Sequence, residues 1–206
     1  SLLISLGITN VCSYFLKYSP ILILGYYFSS REVGYYSVSN NAAYLINFVL
    51  WVVDSVYSPY FANLYRENKI DELKALLKKA TTYMLIIAIP VFLVIITFSN
   101  TILTLFEPNF NGSTTPLLIL AFAQLINVAT GPVLFLMNMI GKERELMIII
   151  LLTSILTVFL GLMLVPKYNY LGAAIATALG LIIQNLTAFF LSRKIINNTL
   201  TSNVNL

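Results

Sequence analysis

The sequence predicts an all-α polytopic membrane protein, built as a bundle of six transmembrane helices. Three observations predict it: few charged residues, six apolar segments of membrane-spanning length, and Lys and Arg gathered on one predicted side. Of the 206 residues, 59% are hydrophobic and 10% are charged, whereas soluble domains carry about 25% charged residues. Charged side chains are costly in hydrocarbon, so a chain this poor in them is expected to lie in a membrane.

Six apolar segments divide the chain. They cover residues 2–28, 35–61, 82–98, 116–140, 146–165 and 171–191. A helix needs roughly 20 apolar residues to cross a bilayer, and charged or turn-forming residues separate these segments. Residues 1–206 are therefore predicted to form a single six-helix unit. The chain runs from Ser1 directly into the first segment, which favours a piece of a longer protein over a complete six-span protein with a trimmed start.

The basic residues are distributed unequally if the chain crosses six times. One side receives nine of them: Arg66, Lys69, Lys74, Lys78, Lys79, Lys142, Arg144, Arg193 and Lys194. The other side receives two, Arg31 and Lys167, while Lys17 lies inside the first segment. Cytoplasmic loops carry the excess of Lys and Arg, so both ends of the chain are predicted to face the cytoplasm.

The polar connection at residues 63–79 has a helical pattern of its own. Ile70 and Leu73 begin an apolar series at helical spacing, with lysines between its members. We expect a short amphipathic helix on the cytoplasmic membrane surface, capped by Asn68 and leading into the third segment. This helix either contacts anionic lipid or is a solvated connector.

Polar stripes run along four of the apolar segments at steps of three and four, which places each stripe on one helical face. They comprise Asn10, Ser13, Tyr14 and Lys17; Asn40, Tyr44, Asn47, Trp51, Asp54 and Ser58; Gln124, Asn127, Gly131 and Asn138; and Thr177 with Gln184. Such residues either line a water-filled substrate path or form hydrogen bonds between helices. The candidate cavity residues are Lys17, Asn10, Tyr14, Asn40, Tyr44, Asn47, Asp54, Gln124 and Asn127.

Lys17 lies near the middle of its segment, where an ammonium costs about 2.5–3.5 kcal/mol to insert. Two interpretations explain how that insertion cost is offset. Lys17 forms an ion pair with Asp54 of the next segment, or it presents positive charge to an anionic headgroup such as a pyrophosphate.

Several classes of function are disfavoured. One cysteine, Cys12, and no histidine exclude a disulfide within the chain and make a zinc or transition-metal site unexpected. No phosphate-binding loop and no hydrolase motif occur, so we expect no cofactor, no metal and no enzymatic activity. The net charge of +4 is explained by the loops, and no nucleic-acid partner is expected.

Several stretches resemble, in order, the C-terminal half of oligosaccharide and polysaccharide flippases. These flippases, such as the O-antigen and teichoic-acid exporters, belong to the multidrug/oligosaccharidyl-lipid/polysaccharide exporter superfamily. The stretches are VGYYS at 33–37, PYFANLY at 59–65, ILTLFEPNF at 102–110, Asn138 with GKE at 141–143, and Pro166 followed by GAAIATA at 172–178.

The resemblance implies a two-lobe transporter in which this chain is the second six-helix lobe and the N-terminal lobe of the same protein is its partner. It implies an undecaprenyl-pyrophosphate-linked oligosaccharide as cargo, flipped by alternating access for cell-surface polysaccharide synthesis. The implied location is the cytoplasmic membrane of a bacterium or archaeon, among membrane lipids and polysaccharide assembly proteins. Lys17 would then contact the cargo's anionic headgroup.

Three other functions stay open. A cation-coupled multidrug exporter of the same superfamily needs buried carboxylates, and Asp54 is the only acid well inside a segment. A membrane-embedded glycan polymerase or ligase needs catalytic side chains in its outer loops, where Glu107 is the only acid of residues 99–115. An assembly subunit without cargo would not need the polar stripes.

Overall fold

The computed structural model describes the backbone of residues 2–106 and 114–204, and the side chains of residues 7–105 and 114–197. The described backbone contains helices and no strand, which confirms the all-α class. The helices are α1 (Leu2–Tyr27), α2 (Ser30–Arg66), α3 (Ile70–Thr97), α4 (Ser99–Phe106), α5 (Thr115–Ala129), α6 (Val133–Met139) and α7 (Glu143–Val204). Glu107 and the end of the 102–110 stretch lie outside the described residues.

Several helices are long and apolar enough to cross a membrane, which confirms a polytopic membrane protein. By length and composition they are α2, α3 and residues 143–197 of α7, and the pair α5–α6, bent by 42°, makes a fourth span if counted as one. The 37 residues of α2 extend about 55 Å at 1.5 Å per residue, well beyond the ~30 Å hydrocarbon core. Six crossings remain a prediction.

Helix α7 is two helices joined at a reversal. Asn169 has φ 54° and ψ −136°, which is not helical, and its side-chain oxygen accepts a hydrogen bond from the backbone N–H of Tyr170 at 2.7 Å. We call residues 143–168 the first arm and residues 170–204 the second arm.

The two arms are antiparallel. The hydroxyl of Thr153 lies 3.5 Å from Oε1 of Gln184, and a Cβ placed on Gly172 would lie 2.4 Å from the carbonyl oxygen of Leu164. Residues later in the first arm therefore contact residues earlier in the second arm, as antiparallel helices require. Because Gly172 has no Cβ, the backbones of the two arms come into contact just beyond the reversal.

Helix α1 packs along the first arm in the same direction. Ser154 donates a hydrogen bond to the carbonyl of Cys12 at 2.8 Å, and further along Ile23 lies 2.9 Å from the position of a Cβ on Gly161. Six crossings require the first and fifth segments to run parallel, as these two do.

The connection between α2 and α3 differs from the expected surface helix. Helix α2 continues to Arg66, and α3 begins at Ile70 and runs without interruption to Thr97. Asn68 does not cap α3, because it has φ 59° and the residue preceding the helix is Lys69, which forms no capping side-chain bond. Ile70 is 2% exposed and packs in the core with other apolar residues of α3. Residues 70–79 are therefore helical and lead into the third segment, as predicted, but they are the first turns of α3 and not a short helix of their own.

Candidate functional site

A cavity of about 490 Å³ lies between α1, α2, the α5–α6 pair and both arms of α7. Its polar lining comprises Thr9, Asn10, Ser13, Tyr14, Lys17, Tyr44, Asn47, Trp51, Asp54, Asn127, Asn138, Gln184 and Asn185. These residues come from segments far apart in sequence, so the fold assembles the cavity rather than any single helix.

Seven of the nine predicted cavity residues line this cavity: Asn10, Tyr14, Lys17, Tyr44, Asn47, Asp54 and Asn127. Asn40 and Gln124 are not in the lining. Asn40 is 5% exposed and lies one turn before Tyr44, beyond the end of the cavity. Gln124 is buried behind the wall, where its Oε1 accepts a hydrogen bond from Asn127 at 3.3 Å.

The ammonium of Lys17 is held by aromatic rings. Its Nζ lies 5.2 Å from the ring centroid of Tyr18 and 5.3 Å from that of Tyr44. Cations at this distance from a ring face are attracted by its quadrupole. Lys17 is itself solvent-accessible, so its charge is presented to the cavity.

One of the two interpretations of Lys17, an ion pair with Asp54, is not found among the described residues. Ion pairs in the described part of the chain join Lys69 to Glu67 and Lys142 to Glu145. The ammonium contacts Tyr44, and ten residues of helix place Asp54 about 15 Å further along α2. That interpretation was wrong because a tyrosine at the depth of the ammonium replaces the carboxylate.

Asp54 is buried without a partner. It is 1% exposed, and neither carboxylate oxygen accepts a hydrogen bond from a described residue. Burying an unpaired charge is costly, so such a group either takes up a proton or binds a cation. The arrangement allows the cavity to hold an anion near Lys17 and a cation or proton at Asp54.

Part of the polar lining joins helices instead of facing the cavity. Asn127 donates a hydrogen bond to Oδ1 of Asn47 at 3.0 Å, linking α5 to α2. For this pair the interpretation as a hydrogen bond between helices is correct, although both side chains also border the cavity.

Two lining residues with unused acceptors were not among the nine candidates. Asn185 donates to the carbonyl of Leu181 at 2.9 Å, which leaves its Oδ1 without a described partner, and Oδ1 of Asn138 is also unpartnered. Asn138 stood in a recognised stripe. Asn185 was missed, because the polar stripe of the sixth segment was taken to contain only Thr177 and Gln184. An asparagine in so apolar a segment could have identified it as a candidate.

The break between α5 and α6 shapes one wall. Gly131 has φ 78°, and a Cβ on it would lie 2.3 Å from the hydroxyl of Thr81 on α3. Pro132 follows and precedes the first residue of α6. Glycine therefore allows both the turn and the close approach of α3, and the bend directs α6 across the cavity.

Comparison with known proteins identifies the family. Residues 2–114 match the model of a family described as polysaccharide biosynthesis protein. The chain belongs to this polysaccharide biosynthesis family. The matched residues contain α1 and α2, and therefore both Lys17 and Asp54. The resemblance to polysaccharide flippases is confirmed at the level of the family.

Two curated relatives of this family member are archaeal. The probable low-salt glycan biosynthesis flippase Agl15 of Haloferax volcanii is 24% identical over 90% of this chain. The uncharacterized membrane protein MJ1068 of Methanocaldococcus jannaschii is 23% identical over 93% of it. The chain spans 40% of the length of each relative. No solved structure matches the chain.

Proposed function

We propose that this chain is one lobe of a flippase that moves an undecaprenyl-pyrophosphate-type lipid-linked oligosaccharide across the cytoplasmic membrane by alternating access. The observation that carries the proposal is the cavity, in which one cation without a carboxylate partner lies among amide and tyrosine side chains. Membership of a polysaccharide biosynthesis family and similarity to a probable flippase support it.

Each part of the lining has a role in this proposal. The ammonium of Lys17 attracts the pyrophosphate, and the tyrosine rings keep it in place. Amides such as Asn10 and Asn138 form hydrogen bonds with sugar hydroxyls. Tyr14 and Trp51, which are 64% and 67% exposed, offer aromatic faces at the mouth of the cavity.

The open side of the cavity is where a second lobe would lie. Asn10, Tyr14 and Lys17 are exposed on the face of α1 opposite to its contact with the first arm. The longer relatives have the length to supply that lobe. In this proposal the basic end faces the cytoplasm, and polysaccharide assembly proteins receive the cargo on the other side.

The test uses the intact protein in liposomes with a fluorescent lipid-pyrophosphate oligosaccharide. Replacing Lys17→Gln removes the only cation among the described residues of the cavity lining, and we expect the translocation rate to fall about tenfold or more. Lys17→Arg keeps the charge and should retain most of the rate, and Lys194→Gln, outside the cavity, should not change it. Transport by Lys17→Gln at the wild-type rate would contradict the role of Lys17.

A cation-coupled multidrug exporter is the second candidate, and Asp54 favours it. A buried carboxylate without a described partner can bind the coupling cation or proton. The two candidates predict different results: an exporter moves cationic drugs, depends on Asp54 and tolerates Lys17→Gln. A glycan polymerase or ligase would instead lengthen or attach the oligosaccharide in the same liposomes, which product analysis would detect.

A further inference from the structure

A second cavity lies at the basic end of the molecule, on the opposite side of α6. Its volume is about 560 Å³, and it is bounded by α3, the α5–α6 break and the second arm. Three cationic side chains line it: Lys74 and Lys78 from α3, and Arg193 from the second arm. None of the described residues that line it is acidic.

The three cations of the second cavity lack the acidic partner that two of their basic neighbours have. Lys69 is paired with Glu67 at 2.7 Å, which lowers the pKa of that carboxyl, and Lys142 is paired with Glu145 at 3.2 Å. None of the three cations of the second cavity forms an ion pair with a described residue. They share one concave surface, so their mutual repulsion favours an anion between them.

The arginine is oriented before any ligand arrives. Its guanidinium carbon lies 4.3 Å from the centroid of the Phe189 ring, and Phe189 also lines the cavity. A guanidinium presents paired donors that match phosphate oxygens. Lys74 and Lys78, one helical turn apart, add charge from the facing wall.

The remaining lining indicates that the anion is attached to a lipid. Leu77, Val133 and Leu136 contribute apolar side chains to the same lining. The stripe of Lys74, Lys78 and Thr82 on α3 reaches Ile86 four residues later, and Ile86 is 60% exposed. A lipid with its phosphate at the cations can therefore lay its acyl chains along exposed apolar side chains deeper in the membrane.

We propose that this second cavity binds the phosphate of an anionic membrane lipid. The site is separate from the cavity of Lys17, and the proposal does not depend on which cargo is moved. Anionic lipids are concentrated in the cytoplasmic leaflet, where basic segments attract them. The bound lipid bridges α3 and the second arm beside the α5–α6 break.

The experiment measures lipid binding by the intact purified protein with native mass spectrometry. Phosphatidylglycerol and phosphatidylcholine of equal chain length are the probes, and inorganic phosphate is the soluble competitor. The test variant combines Lys74→Gln, Lys78→Gln and Arg193→Gln. The matched control combines Arg66→Gln, Lys142→Gln and Lys194→Gln, which removes the same charge from the same end outside the cavity. Thermal melting verifies that both variants are folded.

We expect the test variant to bind phosphatidylglycerol about tenfold more weakly or worse, the control to change by less than about threefold, and phosphatidylcholine to bind weakly throughout. Equal losses of phosphatidylglycerol binding in the test variant and the control would contradict a binding site in this cavity. Displacement of phosphatidylglycerol by millimolar inorganic phosphate would contradict a lipid as the ligand and would indicate a soluble phosphate compound instead. Because binding is measured rather than transport, failure of the flippase proposal would not change the result.

Discussion

Lys17 and Asp54 show how two opposite charges share one membrane cavity without pairing. Tyr44, whose ring contacts the ammonium, lies about 15 Å from Asp54 along α2. The two charges have different environments: tyrosine rings surround the ammonium, and the carboxylate is buried. An unsatisfied buried group persists when function needs it, because stability alone would select against it.

The stability of the protein should therefore rise when Asp54 is neutralised. Asp54→Asn keeps the size of the side chain and removes the buried charge, and we expect a gain of about 1–3 kcal/mol, read as a higher melting temperature in detergent at pH 8. Glu72→Gln, at an exposed acid, is the control and should leave the melting temperature unchanged. A lower melting temperature for Asp54→Asn would mean that the carboxylate holds a stabilising partner.

Helical spacing predicted most of the cavity and missed its extent. The face shared by Tyr44 and Asp54 was visible as a stripe at steps of three and four. Asn40 belongs to that stripe, yet it lies 14 residues from Asp54, or about 21 Å along the helix. A stripe defines a face and not the depth of a cavity, so its ends required the structure.

At the level of elements, the apolar segments coincide with helical stretches, except that segment 116–140 includes the break between α5 and α6, and the connections differ more. The apolar pattern is interrupted at residues 166–170, and the chain reverses direction within that range, at Asn169. The polar residues 63–79 were expected to form a surface helix, and most of them continue α2 and α3. Hydropathy shows which residues can lie in lipid. It does not show where a helix ends once it has left the membrane, because Lys and Glu are good helix formers.

The contact between the two arms provides an element-scale test. A Cβ on Gly172 would lie 2.4 Å from the carbonyl oxygen of Leu164, and a backbone atom cannot rotate away. Gly172→Ala should cost about 1–3 kcal/mol, seen as earlier loss of the monodisperse peak after heating. Gly34→Ala is the matched control, because nothing lies within 4 Å of its Cβ position and α2 should gain from the better helix former. Equal melting of the two variants would contradict the close packing of the arms.

The basic residues of the whole molecule occupy different surroundings. Lys74, Lys78 and Arg193 meet in one cavity at the basic end. At the other end the guanidinium of Arg31 lies 5.5 Å from the ring of Tyr35, which in turn contacts the ring of Tyr170. The three cations of the cavity belong to one predicted side and Arg31 to the other, and which end faces the cytoplasm is a proposal.

Cysteine labelling tests the orientation. In a background with Cys12→Ser, single cysteines replace Lys142 or Lys194 at the basic end and Arg31 or Lys167 at the other. A membrane-impermeant maleimide added to intact cells should label the Arg31 and Lys167 positions, and it should label the other two only after lysis. The reverse labelling pattern would show that the orientation is opposite to the predicted one. Different labelling of the two positions at one end would contradict the prediction of six crossings.

The partnership of α1 with the first arm has a consequence for how the protein is made. Ser154 and Cys12, which join them, are 142 residues apart. At 5–20 residues per second, a ribosome needs about 7–28 s to synthesise that interval. During this time the first helix, with Lys17 in it, waits in the bilayer or the insertion machinery without its main neighbour. Assembly of the bundle is therefore completed late, and a ribosome that stalls before the first arm would release a product in which α1 lacks its main neighbour.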